Sequence, residues 1–141
     1  MKALVIDDER LARTELIRLL EPFKEIEIVG EAVNADDAHN KISELSPDVI
    51  FLDIQMPGKT GFELLEELDS VPKVIFTTAY DEYALKAFEY NALDYLLKPI
   101  EPARLEESIK KLIEGKRKDR TQDLSHETLT AEDQVFVKDG D

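Results

Sequence analysis

The chain contains no cysteine, which excludes a disulfide framework, a thiolate nucleophile and any zinc site built on sulfur. The opening MKALVIDDER has no apolar signal-peptide core, since an acidic pair arrives at Asp7 and Asp8. No stretch approaches the roughly 18 uninterrupted apolar residues that a membrane helix needs. A soluble, cytoplasmic protein with no membrane partner is the expectation. Basic charge is scarce too. The formal charge is −14, and residues 1–115 hold 13 Lys and Arg against 25 Asp and Glu. Such a surface repels nucleic-acid phosphates, so no DNA-binding face is expected there. Most of the acidic excess reads as solubility.

What is present is enough for one domain: 141 residues, 43% of them hydrophobic. Short apolar runs alternate with amphipathic stretches. The strand candidates are Ala3–Ile6, Ile26–Gly30, Val49–Leu52, Val74–Thr77 and Tyr95–Leu97. Each is β-branched or continuously apolar, as strands covered on both faces should be. Between them, helical spacing links Leu11, Leu16, Leu19 and Leu20, then Ala38, Ile42 and Leu45 after the N-cap cluster NADD. Further helical patterns run through Phe62, Leu65 and Leu68 and through Tyr83, Ala84, Ala87 and Phe88. A last helix from about Pro102 carries Leu105, Ile109, Leu112 and Ile113 on one face. Five repeats of strand then helix imply an α/β fold, a doubly wound parallel sheet with helices on both faces.

In such sheets ligands bind beyond the carboxyl ends of the strands, where strand order reverses. The first strand ends in Asp7-Asp8, the third in Asp53, the fourth in Thr77-Thr78 and the fifth in Lys98-Pro99. Three carboxylates, a hydroxyl and an ammonium thus share one rim. Clustered carboxylates resist joint ionisation without a cation, and a hard divalent ion such as Mg²⁺ answers with oxygen coordination and positions left open for phosphoryl oxygens. Carboxylates form aspartyl phosphates, and Asp53 is the central one. Each residue also has a plainer reading. Asp7 and Asp8 could cap the following helix, and both reach the rim only if the chain leaves strand geometry there. Lys98 could be a surface lysine before a helix. A lone carboxylate closing a buried strand has no such bland role.

VIDDE, FLDIQMPGKTGFE, IFTTAY and DYLLKPI at these spacings resemble the receiver domain of two-component response regulators, over residues 1–115. The resemblance implies a flavodoxin-like strand order 2-1-3-4-5 and Asp53 as phosphoacceptor. It implies Mg²⁺ held by Asp8 directly, by Asp7 through water, by Asp53 and by the Gln55 main-chain carbonyl. Thr78 and Lys98 would stabilise the phosphoryl group, Thr78 and Tyr95 would act as the switch pair, and the Lys98–Pro99 peptide would be cis. A sensor histidine kinase is the implied partner, and a homodimer through the fourth helix, fifth strand and fifth helix the implied assembly. The only catalysis implied is Mg²⁺-dependent self-phosphorylation and slow self-dephosphorylation. AYDEYALKAFEYNALDYLLKPI is similar to receivers of the LytTR class. The tail agrees: residues 116–133 read as a linker, and QVFVKDGD at 134–141 as the truncated start of a LytTR DNA-binding domain, so DNA contact would belong to that missing domain. Tyr80, two residues after Thr78, would shield the acyl phosphate from water and prolong its life. His39 and His126 lie off the rim.

Three other functions were weighed. GKT at Gly58–Thr60 fails as a nucleotide-binding loop, because position 53, where that loop needs glycine, is Asp. A haloacid-dehalogenase-type phosphatase needs a second acid two residues after the nucleophile, where this chain has Gln55. A receiver fold serving as a phosphorylation-independent interaction module remains the alternative; such modules usually lack a rim acid or the lysine.

Overall fold

Every apolar run singled out above forms a strand. The computed structural model describes residues 1–126. The strands are β1 (Lys2–Ile6), β2 (Glu27–Ala32), β3 (Val49–Asp53), β4 (Lys73–Thr78) and β5 (Asp94–Leu97). All pair in parallel, in the order β2-β1-β3-β4-β5. The helices are α1 (Arg10–Leu20), α2 (Ala35–Leu45), α3 (Gly61–Glu67), α4 (Ala84–Glu89) and α5 (Pro102–His126), with a 3-10 turn at Asp81–Tyr83 before α4.

β3 is buried at all five positions, which explains its unbroken apolar reading. Alternate residues of the central strands face opposite sides. Leu4, Ile6, Ile50, Leu52, Val74 and Phe76 join Ile42, Phe62, Leu64 and Leu65 in one buried cluster. Val5, Phe51 and Ile75, from the intervening positions, are buried as well.

Local signals fix the helix starts. Asn34 caps α2 by accepting the Asp37 N–H at 2.8 Å, while Asp37 accepts the Val33 N–H at 3.0 Å. Thr60 and Glu63 form a reciprocal capping box at α3.

Three details add to the sequence reading. Leu11 shares the helical spacing of α1 but is 76% exposed, and the buried stripe is instead Arg13, Leu16 and Leu20. Phe88 is 75% exposed on α4 beside Leu85 at 83%. α5 runs without interruption through 116–126, the first part of the expected linker. Glycine costs a helix only about 1 kcal/mol, and the Lys and Arg that follow Gly115 are good helix formers. Residues Met1–Ser108 form one compact unit and a second begins at Ile109. The expected strand at 134–141 lies outside the described residues.

Candidate functional site

Register brings the rim together. Ile6 pairs with Leu52, Asp53 with Thr77, and Thr78 with Leu97, so the strands finish level. β1 and β3 flank the reversal of strand order, and their ends carry Asp7 and Asp53. Beyond Ile6 the chain does leave strand geometry: Asp7 Oδ1 accepts the Glu9 N–H at 2.9 Å, a local turn of the kind Asp favours. Asp7 thus braces the turn before α1 without capping the helix, whose N-cap is Glu9. Oxygens of Asp7, Asp8 and Asp53 lie within 4.8 Å of one another. Asp7 and Asp53 are buried and Asp8 is exposed, which gives the trio a solvent-facing side.

Lys98 reaches in from the end of β5. Its Nζ lies 2.6 Å from Asp7 Oδ2 and 3.5 Å from Asp53 Oδ2. Burial alone would lower its pKa, but the Asp7 hydrogen bond and the Asp53 charge hold the ammonium above its ordinary value. The Lys98–Pro99 peptide is cis, as expected, and the Lys98 N–H donates to the Thr78 carbonyl at 2.7 Å.

Asp53 is the stressed member. Burial, with help from Asp7 and Asp8, pushes its carboxyl up to about 7 despite Lys98 and the Ile54 N–H. The donor set suits a hard divalent cation: three carboxylates in a small volume, with more negative charge than one lysine offsets.

The loop after Asp53 is held close. Gly58 turns it at φ 85°, a left-handed conformation. A Cβ on Gly61 would come within 2.5 Å of the Asp53 carbonyl, so this glycine lets α3 start directly against β3. Gln55 is exposed, and its side-chain amide donates to the Tyr83 hydroxyl.

The switch candidates meet at Tyr80. Thr78 is fully buried, and its Oγ1 accepts the Tyr80 N–H at 3.3 Å. The Tyr95 hydroxyl donates to the Tyr80 carbonyl. Sequence reasoning gave Tyr80 only a shielding role; its main chain also bonds both switch candidates. His39 lines a separate cavity of about 330 Å³ with Ile42, Ser46 and Asp69. His126 closes α5.

Sequence reasoning missed Arg13 altogether. Its guanidinium, nearly buried, donates to the Asp7 carbonyl at 2.8 Å and to Glu31 Oε1 at 2.9 Å. The signal was available, because Arg13 shares the helical stripe of Leu16 and Leu20.

Comparison with known proteins agrees with the geometry. The family described as the response regulator receiver domain matches residues 3–110. The chain is 44% identical over 137 residues to the sensory transduction protein LytT of Bacillus anthracis, covering 94% of this chain and 56% of that protein. It is 47% identical over 140 residues to the transcriptional regulatory protein BtsR of Escherichia coli, covering 98% and 56%. The response regulatory domain of mrkE from Klebsiella pneumoniae superposes with a TM-score of 0.74 at 35% identity, over 82% of this chain and 97% of that one. The chain spans about half the length of the curated relatives it matches.

Proposed function

The chain belongs to the response regulator receiver family, and on that premise we propose that it is a phosphorylation-controlled switch whose acceptor is Asp53. The observation that carries the reading is the convergence of Asp7, Asp8 and Asp53 within 4.8 Å, with Lys98 against two of them. An Asp53 carboxylate oxygen attacks the phosphorus of a phosphohistidine on a sensor kinase, or of a small acyl phosphate. The bond from phosphorus to the donor atom breaks as the aspartyl phosphate forms. Asp7, Asp8, Asp53 and the Gln55 main-chain carbonyl would hold Mg²⁺, which when bound neutralises charge on the phosphoryl oxygens. Lys98 supplies a fixed ammonium to the same oxygens. Thr78 accepts from Tyr80, which leaves its own proton for a phosphoryl oxygen.

The output follows from Tyr80. Movement of Thr78 toward the phosphoryl group pulls on the Tyr80 N–H, and the Tyr80 carbonyl is the anchor of Tyr95. Tyr80 is itself 47% exposed, and its ring would shield the acyl phosphate from water. Leu85 and Phe88 of α4 and Leu97 of β5 are all exposed. A homodimer through α4, β5 and the start of α5 would bury them. Light scattering should show phosphorylation raising the dimer fraction; a monomer in both states rejects this assembly. The cytoplasm is the compartment this role requires. Residues 1–115 would be the receiver, 116–133 the connection, and 134–141 the first strand of a DNA-binding domain that alone would touch DNA.

Intact mass after incubation with acetyl phosphate and Mg²⁺ tests the acceptor. One phosphoryl adduct is expected, absent in Asp53→Asn and in metal-free samples, and shorter-lived in Tyr80→Ala. A folded sample that takes no adduct would leave the phosphorylation-independent interaction module in its place.

A further inference from the structure

Asp7 is held at every polar atom. Its N–H donates to the Ala32 carbonyl at 3.0 Å, Oδ1 accepts from Glu9 at 2.9 Å and Oδ2 accepts from Lys98 at 2.6 Å. The remaining atom, its carbonyl, accepts from Arg13 Nη1 at 2.8 Å, a bond shielded from water. That carbonyl belongs to the peptide joining Asp7 to Asp8. No side-chain hydrogen bond or ion pair among the described residues fixes Asp8 itself. Its direction is therefore set by the backbone that Arg13 grips.

Arg13 is in turn anchored. Nε pairs with Glu31 at 2.9 Å, and the arginine side chain is only 11% exposed. The Glu31 carbonyl accepts from Lys41 of α2, so the end of β2 is braced from both neighbouring helices. One planar group thus bonds in two directions, to a carboxylate and to a carbonyl, which the single ammonium of a lysine cannot reproduce in the same geometry. A guanidinium this buried is costly unless both bonds are made.

Resting on the reading of Asp7, Asp8 and Asp53 as the cation site, we propose that Arg13, anchored by Glu31, is a positioning residue for that site: it sets the Asp7–Asp8 peptide so that both carboxylates face the rim. Arg13 carries no ligand atom and acts only through this peptide. The sign of its effect separates positioning from charge. Arg13 is a cation near a cation site, so removing its charge should by electrostatics alone tighten metal binding. Loss of positioning should weaken it, as substitution of groups that orient metal ligands does by roughly 10- to 100-fold.

The test is calorimetric titration of the 141-residue protein with Mg²⁺, repeated with Mn²⁺, without phosphodonor. Arg13→Gln, which removes the charge, should raise Kd by about tenfold or more. Arg13→Lys, which keeps the charge and loses the fork, should raise it in the same direction by less. Arg18→Gln, on the exposed side of α1 where Arg18 pairs with Glu15, should leave Kd near wild type. Circular dichroism reports whether each variant is folded, and Arg13→Lys decides the matter if Arg13→Gln is not. A role confined to stability would lower the melting temperature of the folded variants with Kd unmoved, and that outcome overturns the inference while leaving the cation site standing. Wild type that binds neither ion overturns the site and the inference together.

Discussion

Two aspartates whose side chains are almost covered are treated in opposite ways in this molecule. Asp53 ends β3 and Asp94 opens β5, only two residues apart in their pairing along β4. Their side chains are similarly covered, 6% and 7% exposed. Asp94 receives both arms of Arg104, at 2.7 and 2.9 Å, together with the Ser108 hydroxyl and the Tyr95 N–H. Burial works against its charged form, but these bonds win and hold its carboxyl well below the usual range. Asp53 faces a lysine that sits closer to Asp7, plus two like charges, and its carboxyl is raised. Burial is common to both, so burial does not make a reactive carboxylate. What distinguishes Asp53 is that its charge is only partly compensated: Lys98 sits closer to Asp7, and two further carboxylates stand beside it.

The largest expected effect is at Asp53 itself. Its folded value near 7, against 3.8 unfolded, means it withdraws no stability below about pH 4. Stability is then lost as pH rises from about 4 to about 7 and levels off above that. At about 1.4 kcal/mol per unit this approaches 4 kcal/mol in metal-free protein at pH 8. Asp53→Asn should therefore be more stable than wild type at pH 8 in chelator, with the gap reduced to about 1 kcal/mol at pH 4.5. Urea unfolding at the two pH values measures this, and Mg²⁺ should narrow the gap at pH 8 by stabilising wild type. Equal stability in chelator at pH 8 would mean Asp53 is already compensated, and the comparison would collapse.

Arg104→Ala attacks the other side. Arg104→Ala removes two charge-assisted hydrogen bonds from Asp94, and because Arg104 is 39% exposed solvent offsets part of the loss, so a cost of about 2 kcal/mol is expected. The sign of the pH dependence checks the cause. Asp94 in wild type contributes stability above its unfolded value near 4, and the contribution is lost as pH falls below it. Arg104→Ala should lose most of that acid-side slope. A large loss of stability with the slope intact would assign the role of Arg104 to packing.

Half of this contrast could be read from the sequence. Asp7, Asp8, Asp53 and Lys98 stand at the ends of apolar runs, and parallel topology brings strand ends to one edge whatever the intervening residues are. Asp94 gave no such signal. Its partners Arg104 and Ser108 come from a helix whose rotation only packing fixes, and the sequence shows merely an acid before a strand. Arg13 was hidden for a related reason: a charged residue on an apolar stripe reads as an interruption until the buried carbonyl it serves is seen. Leu11 and Phe88 show the converse, since helical spacing groups apolar residues without saying which of them a neighbour covers. The extension of α5 past Gly115 was obscured by weight given to a glycine and a basic run, neither of which stops a helix on its own.

The smallest effect is the most discriminating. Ser108 is fully buried and donates to Asp94. A hydrogen bond to a charged group contributes roughly 1.5–3 kcal/mol, and Ser108→Ala leaves Arg104 in place, so a loss of about 1.5 kcal/mol is expected by urea unfolding at pH 7. The loss should hold at pH 4 and shrink only at lower pH, as folded molecules begin to protonate Asp94. A loss of this size would mean that the low Asp94 value is shared between a cation and a neutral donor. Asp53 would then differ from Asp94 in two respects, its cation and its missing hydroxyl. A neutral Ser108→Ala would place the whole difference in the cations. One carboxylate would be closed by a guanidinium fork that bonds it twice, and the other left open by an ammonium spent mainly on Asp7.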